Sequence, residues 1–321
     1  ISGNKYRVSA HDADMKETEA IYGQTDSGMT IIEGHLFLNG KKPIQHRSSY
    51  GLGEVIKAAL DNHTEHLVIS LGGIGSFDGG AGMLQALGAR FYDDEAQIVD
   101  MRKGADLIKY IRRIDLSGVH PQLTKVNIQL MSDFSSRLYG KKSEIMQTYE
   151  SLDLSQNEAA EIDNLIWYFS ELFKNELKIA MGPIERGGAG GGIAAVLNSL
   201  YQAEILTSHE LVNQITHLEN LIQQADLIIF GEGLKEEDQI LETTTIRIAE
   251  LTQQYSKPAI AICATNDKFD LFESLNVTAM FNTFIDMPDS YTDFKMGIQI
   301  RHYTVQALKL LKTQINLPLS S

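Results

Sequence analysis

LGGIGSFDGGAGMLQALGARF, residues Leu71 to Phe91, decides how the rest of the chain is read. Leu67-Val68-Ile69-Ser70-Leu71 ahead of it is short, apolar and partly β-branched, which predicts a buried strand. Ala81 to Leu87 has helical propensity, and Gly88 suits the left-handed residue that ends a helix. A strand, a glycine loop and a helix start form the geometry that offers bare backbone N–H groups to an anion. Asp78 stands in the middle of that loop. A carboxylate there repels phosphate unless a divalent cation or a transferable proton lies between them, so the loop predicts magnesium-assisted or acid–base phosphoryl chemistry.

The 321 residues suffice for two domains with a large core. With 28 basic against 42 acidic residues the net charge is −14, which argues against nucleic acid or an anionic membrane as partner. An anionic substrate then needs local neutralisation, by a metal or by a few placed cations. Cys263 is the sole cysteine, which excludes an internal disulfide and fits a reducing, cytoplasmic compartment. No apolar run approaches the length of a membrane span, and no signal peptide is visible. Assembly into a homo-oligomer is left open.

The first third reads as hairpins: Tyr6 to Ser9, Met29 to Glu33, and His35 to Leu38 followed by an Asn39-Gly40 turn signal. Tyr50 to Leu60 has apolar residues at helical spacing, and Ala159 to Leu177 reads as a long amphipathic helix. Ala89 to Tyr92 and Val126 to Met131 read as further strands, the second with Asp133 just past its end. After Met181-Gly182-Pro183 comes a second glycine loop, Gly187 to Gly192, opening another helix. The remainder alternates: helix Ser208 to Gln224, strand Leu227 to Phe230, helix Thr243 to Tyr255, strands Ala259 to Cys263 and Ala279 to Phe281, helix Asp293 to Lys312. That rhythm predicts an α/β fold with a parallel sheet covered by helices, and a domain boundary near residue 182.

Three loops fall just past strand carboxyl ends, where open α/β sheets keep their chemistry. In the first, Asp78 serves either a ligand or the helix start as a cap. In the second, Gly187 to Gly192, the glycines allow either close ligand approach or close helix packing. In the third, Gly231-Glu232-Gly233, the carboxylate is a metal or hydroxyl ligand or part of a solvated turn. No Gly-Lys-Ser/Thr follows either glycine loop, so neither is a Walker A sequence. A dinucleotide reading has Gly73-Ile74-Gly75 after a strand and Asp93 and Asp94 near the ribose-binding distance in its favour, and against it Asp78 at the position of the third glycine. His63 and His66 beside Glu65 read as a solvated helix end.

At these residues the chain resembles the type I glycerate kinase family, bacterial ATP-dependent kinases of sugar-acid metabolism. The family's GGSATNDGGAGMLQALG appears as GGIGSFDGGAGMLQALG, keeping Asp78, Gly79 and Gly80. TTYGTGELIKAAL is represented from Ser48-Ser49-Tyr50-Gly51, and RIDLSG recurs unchanged at Arg113 to Gly118. Asp133 is retained from CDVDNPLLG, GAAGGLGAAL matches Gly187 to Val196, and ADLVITGEG matches Ala225 to Gly233. The resemblance implies two α/β domains. Residues 1–182 would form an inserted domain with a mixed sheet, and residues 183–321 the C-terminal part of a flavodoxin-like domain whose first part lies ahead of Ile1. It also implies transfer of the ATP γ-phosphoryl group to a hydroxyl of D-glycerate, with Mg²⁺.

On the same resemblance, Asp78 accepts the hydroxyl proton or holds Mg²⁺, and the N–H groups of Gly79 and Gly80 face the moving phosphoryl group. Asp133 and Glu232 complete a catalytic acidic cluster, with Glu232 a second metal ligand. Gly188, Gly190 and Gly191 admit the nucleotide phosphates, and Arg186 with Ser76 binds the substrate. The departures are Phe77 for asparagine, Ser136-Arg137 for Asn-Pro, and Leu234 and Thr243 where the family carries arginine and lysine. They favour a rival reading, a non-catalytic relative that binds a sugar acid or nucleotide as a sensor.

Overall fold

A computed structural model describes residues 2–72, 75–232, 244–263, 269–282 and 293–313. It divides into two compact units, Ile1–Thr207 and Ser208–Ser321. In the first unit, β1 (Gly3–His11), β2 (Glu17–Thr25) and β3 (Met29–Glu33) lead through α1 (His35–Leu38) and α2 (Tyr50–Asp61) to β4 (His66–Ser70). Then come α3 (Ala81–Ala86), β5 (Arg90–Tyr92), β6 (Arg113–Asp115), β7 (Asn127–Met131), α4 (Glu144–Thr148), α5 (Gln156–Leu172), α6 (Ile193–Tyr201) and β8 (Glu204–Leu206). The six-stranded sheet has the order β1-β2-β3-β4-β7-β8. Its first two pairings are antiparallel and the other three parallel, so the sheet is mixed. β5 and β6, the second built on the Arg113 to Gly118 motif, form a separate antiparallel ribbon.

Periodicity explains the packing. α2 turns Leu52, Val55, Ile56, Ala59 and Leu60 inward, all fully or nearly fully buried. Each large apolar side chain so buried contributes about 1.5–3 kcal/mol. α5 begins with a capping box in which the Ser155 side chain accepts from the Glu158 N–H and the Glu158 carboxylate accepts from the Ser155 N–H. Its inner face carries Phe169, edge-on to Phe91 and to Phe173 at ring separations of 5.9 and 4.9 Å. The expected helix to Leu177 is α-helical only to Leu172 and closes with a π-helical turn, Phe173–Leu177.

Two further expectations change. His35 to Leu38 is a helical turn, not a strand: Phe37 N–H donates to the Gly34 carbonyl, and Phe37 and Leu38 are buried side by side. Asn39-Gly40 therefore closes no hairpin; the Asp14 carboxylate fixes the adjoining segment by accepting the N–H groups of Lys41 and Lys42. Residues 183–207 belong to the first unit rather than starting the second, because the second glycine loop packs on the first and β8 joins β7 at the sheet edge.

The second unit contains α7 (Ser208–Thr216), α8 (Leu218–Gln224), β9 (Ile228–Glu232), α9 (Thr244–Gln254), β10 (Ala259–Cys263), α10 (Phe269–Ser274), β11 (Ala279–Asn282) and α11 (Asp293–Thr313). Its sheet has the order β11-β10-β9 and is parallel. β10 is buried at every position, as a central parallel strand must be. The single helix expected over Ser208 to Gln224 is broken at His217, whose φ is +53°. Among the described residues no helix is long and apolar enough to cross a membrane.

Candidate functional site

The loop after β4 folds around Asp78, which has no exposed surface. One carboxylate oxygen, Oδ2, accepts from Ser49 N at 2.8 Å, Ser49 Oγ at 2.9 Å and Gly82 N at 3.1 Å. The other accepts from Gly80 N at 3.0 Å. Burial pushes the Asp78 carboxyl above its ordinary range, and these hydrogen bonds oppose that push without cancelling it. Three of the four donors within 3.1 Å are backbone N–H groups, which cannot accept, and Ser48 Oγ lies farther off at 3.5 Å, so the arrangement serves the ionised form. Ser49 in turn accepts from Met83 N at 2.9 Å. The carboxylate thus ties the start of α2 to the start of α3.

The second glycine loop, buried throughout, locks onto the first. Gly79 N donates to the Gly191 carbonyl at 3.0 Å. A Cβ on Gly191, whose φ is +64°, would lie 2.0 Å from the Ser76 carbonyl oxygen, and one on Gly188 would lie 2.3 Å from the Arg137 carbonyl oxygen. Of the two uses left open for these glycines, the geometry selects close packing of backbone on backbone. The donors expected to meet phosphate are spent internally: Gly79 N on Gly191, Gly80 N on Asp78, Gly188 N on Ser136 and Gly191 N on Glu144. Gly190 is buried beside Leu71. Gly79, Gly80, Gly188, Gly190 and Gly191 thus pack the two loops together in this arrangement.

Glu144 was not signalled by its charged surroundings, Lys141-Lys142-Ser143, yet it is 3% exposed. Its carboxyl is pushed up by burial to about 8, against one hydrogen bond from Gly191 N at 3.3 Å. Ser76, expected at the substrate, is buried with its hydroxyl unpartnered among the described residues.

The remaining acids lie elsewhere. β4 and β7 are parallel with Ser70 opposite Met131, so Gly72 and Asp133 emerge side by side at the carboxyl edge of the sheet, both exposed. Arg186 is half-buried with φ +57°. Glu232 ends β9 opposite Cys263 in the second unit; its side chain, like Leu234 and Thr243, lies outside the described residues. The structure thus brings Asp78, Ser76 and both glycine loops into one buried knot, with Asp133 at the sheet edge. No three His, Cys, Asp or Glu side chains among the described residues converge as a metal site. The Asp78 oxygens face N–H and O–H donors, which does not fit a magnesium ligand.

The first unit is a mixed sheet whose strand β4 runs into a glycine loop locked to a second one, which follows α5 rather than a strand end, and the chain carries a separate smaller parallel unit; this is an α/β architecture. The model of the glycerate kinase family matches residues 1–299, and the chain belongs to that family. A glycerate kinase of Halalkalibacterium halodurans is 31% identical over 254 residues, covering 77% of this chain and 66% of that protein. Glycerate 2-kinase of Escherichia coli is 29% identical over 236 residues, covering 73% of this chain and 61% of the relative. The chain thus spans less than two thirds of the length of these curated relatives. A solved structure described as glycerate kinase 2 from Salmonella typhimurium LT2 superposes with TM-score 0.80 at 26% identity, over 96% of this chain and 84% of that one.

Proposed function

We propose that the chain acts as a glycerate kinase, moving the γ-phosphoryl group of ATP to a hydroxyl of D-glycerate in a magnesium-dependent reaction. The observation that carries this reading is the Asp78 knot: the family's longest retained block holds a buried carboxylate hydrogen-bonded at both oxygens. In phosphoryl transfer catalysis is chiefly positioning and charge neutralisation, and a loop fixed at both oxygens of one carboxylate supplies positioning. Asp78 is a positioning residue on this reading. Asp133, exposed at the carboxyl edge, is the carboxylate that meets the reacting hydroxyl, with Arg186 on the acid, and Glu232 at the end of β9 serves as a further catalytic carboxylate and metal ligand. The second unit, with three parallel strands, is read as the C-terminal part of a flavodoxin-like domain.

A sensor that binds without turnover is the second reading, favoured by the sealed Asp78 and the spent loop N–H groups. Coupled measurement of ADP release with D-glycerate, ATP and Mg²⁺ separates the two. Saturable release dependent on D-glycerate supports the kinase. Binding of glycerate or nucleotide with no ADP above background selects the sensor.

A further inference from the structure

Outside the Asp78 knot, an open cavity of about 570 Å³ is lined by His11, Met15, Lys42, His46, Arg102 and Lys103. In a chain of net charge −14, six lining residues that include two lysines, an arginine and two histidines but no carboxylate form an unusual surface. The acids nearby are paired with the lining residues. Glu54 meets His11 Nδ1 at 2.9 Å, Asp106 meets His46 Nδ1 at 3.6 Å, and Asp100 accepts from Arg102 through both its oxygens at 2.8 and 3.0 Å. Asp14 is occupied by the backbone N–H groups of Lys41 and Lys42. Arg102, whose guanidinium has five N–H donors, spends two on Asp100 and keeps the rest. Lys103 forms no ion pair among the described residues.

The wall is built rather than accidental. Gly104, φ +96°, lets the turn carrying Arg102 and Lys103 press on the turn carrying His46; a Cβ there would lie 2.5 Å from the Gln45 carbonyl oxygen. Ser48 Oγ donates to the Met101 carbonyl at 2.8 Å, and Arg47 donates to the Gly75 carbonyl at 3.2 Å. The segment 47–50, which follows the lining residue His46, thus joins the Met101 backbone through Ser48 and Asp78 through Ser49.

We infer that this cavity is an oxyanion-binding site of the protein, with Lys42, Arg102 and Lys103 as the charged donors. The ligand is a small acid whose carboxylate or phosphoryl group enters the cavity. A volume of this order suits a small ligand, and an anion approaching so acidic a protein needs a local cluster of cations. Naming that ligand as the hydroxy-acid substrate or its phosphorylated product rests on the kinase reading; the anion site itself does not.

The test is calorimetric titration of the full chain with D-glycerate, glycerol, inorganic phosphate and ATP, repeated on the double variant Lys42→Met/Lys103→Met. Both side chains are exposed, so an unchanged thermal midpoint is expected. Lys42→Arg/Lys103→Arg serves as the charge-retaining rescue. Supporting results are glycerate or phosphate binding that weakens at least about tenfold in the double variant and returns in the arginine pair, with glycerol silent throughout. Glycerate without phosphate assigns the carboxylate, and phosphate or ATP without glycerate assigns the phosphoryl group. Absence of any oxyanion binding to the unaltered chain, or equal affinity in the double variant, overturns the inference. Turnover in the double variant with unchanged KM for both glycerate and ATP and unchanged oxyanion affinity also overturns it and leaves the kinase reading standing. Variant-sensitive binding without turnover keeps the site and removes the kinase.

Discussion

Replacing Asp78 by asparagine separates a carboxylate that holds a loop from one that meets substrate. The best-oriented amide keeps its oxygen at the position that accepts from Ser49 N, Ser49 Oγ and Gly82 N and turns its NH₂ toward Gly80 N, 3.0 Å from the present oxygen. Gly80 N–H then faces a donor and goes unmade in a buried site, at about 1–3 kcal/mol. Three charge-assisted hydrogen bonds weaken to neutral ones, and relief from burying a charge offsets part of that loss. The balance is a loss of about 2–4 kcal/mol, a large share of the roughly 5–15 kcal/mol that a domain holds. Urea unfolding followed by Trp167 fluorescence measures it, because the chain's one tryptophan lies on α5 and reports the first unit alone, avoiding a two-state treatment of both units together. Asp78→Asn that unfolds at the unaltered urea midpoint while losing turnover would refute the positioning role and return Asp78 to the reacting groups.

Gly191→Ala, with its Cβ 2.0 Å from a carbonyl oxygen, should lose about 2–5 kcal/mol in the same assay. Gly28→Ala, with similar positive φ but open space around it, should lose about 1 kcal/mol; equal losses would mean the glycine loops do not interlock. Glu144, raised from 4.5 to about 8, favours the folded state most below pH 4.5, an advantage lost as pH rises through about 8. That displacement is worth on the order of 5 kcal/mol, so Glu144→Gln should flatten stability between those limits, and a slope like that of the unaltered chain would contradict its burial. Asp133→Asn should lower kcat by about a hundredfold or more while leaving the Trp167 unfolding curve in place, since Asp133 is exposed; unaltered ADP release would remove it from the site.

Long and strongly patterned elements were legible without coordinates. The β4 strand, the α2 and α3 helices and the parallel β9, β10 and β11 each combine an apolar period with a glycine or polar boundary. His35 to Leu38 misleads because four residues are too few to show whether a period is two or three and a half, and Asn39-Gly40 mimics a hairpin turn. The capping box at Ser155 and Glu158 starts α5 at Gln156, three residues ahead of the Ala159 that apolar spacing alone suggests. Asp78 was found by its place in a glycine loop, but its burial was not, because its partners Ser49 and Gly82 approach from another helix and from beyond the loop. The second glycine loop could not be divided between ligand and packing until Ser76 and Arg137 were seen where side chains would go. Glu144 had no signal, since lysine-rich neighbours read as solvent-facing surface.

The interlock also orders events during synthesis. The loop that covers Gly79 arrives with Gly191, and the strand that closes the sheet edge beside β7 ends at Leu206. A ribosome adding about 5–20 residues per second therefore releases the Asp78 loop many seconds before its cover exists. A nascent chain halted near residue 182 would display uncapped glycine backbone and the bare edge of β7, the kind of surface that recruits chaperones or a second nascent copy.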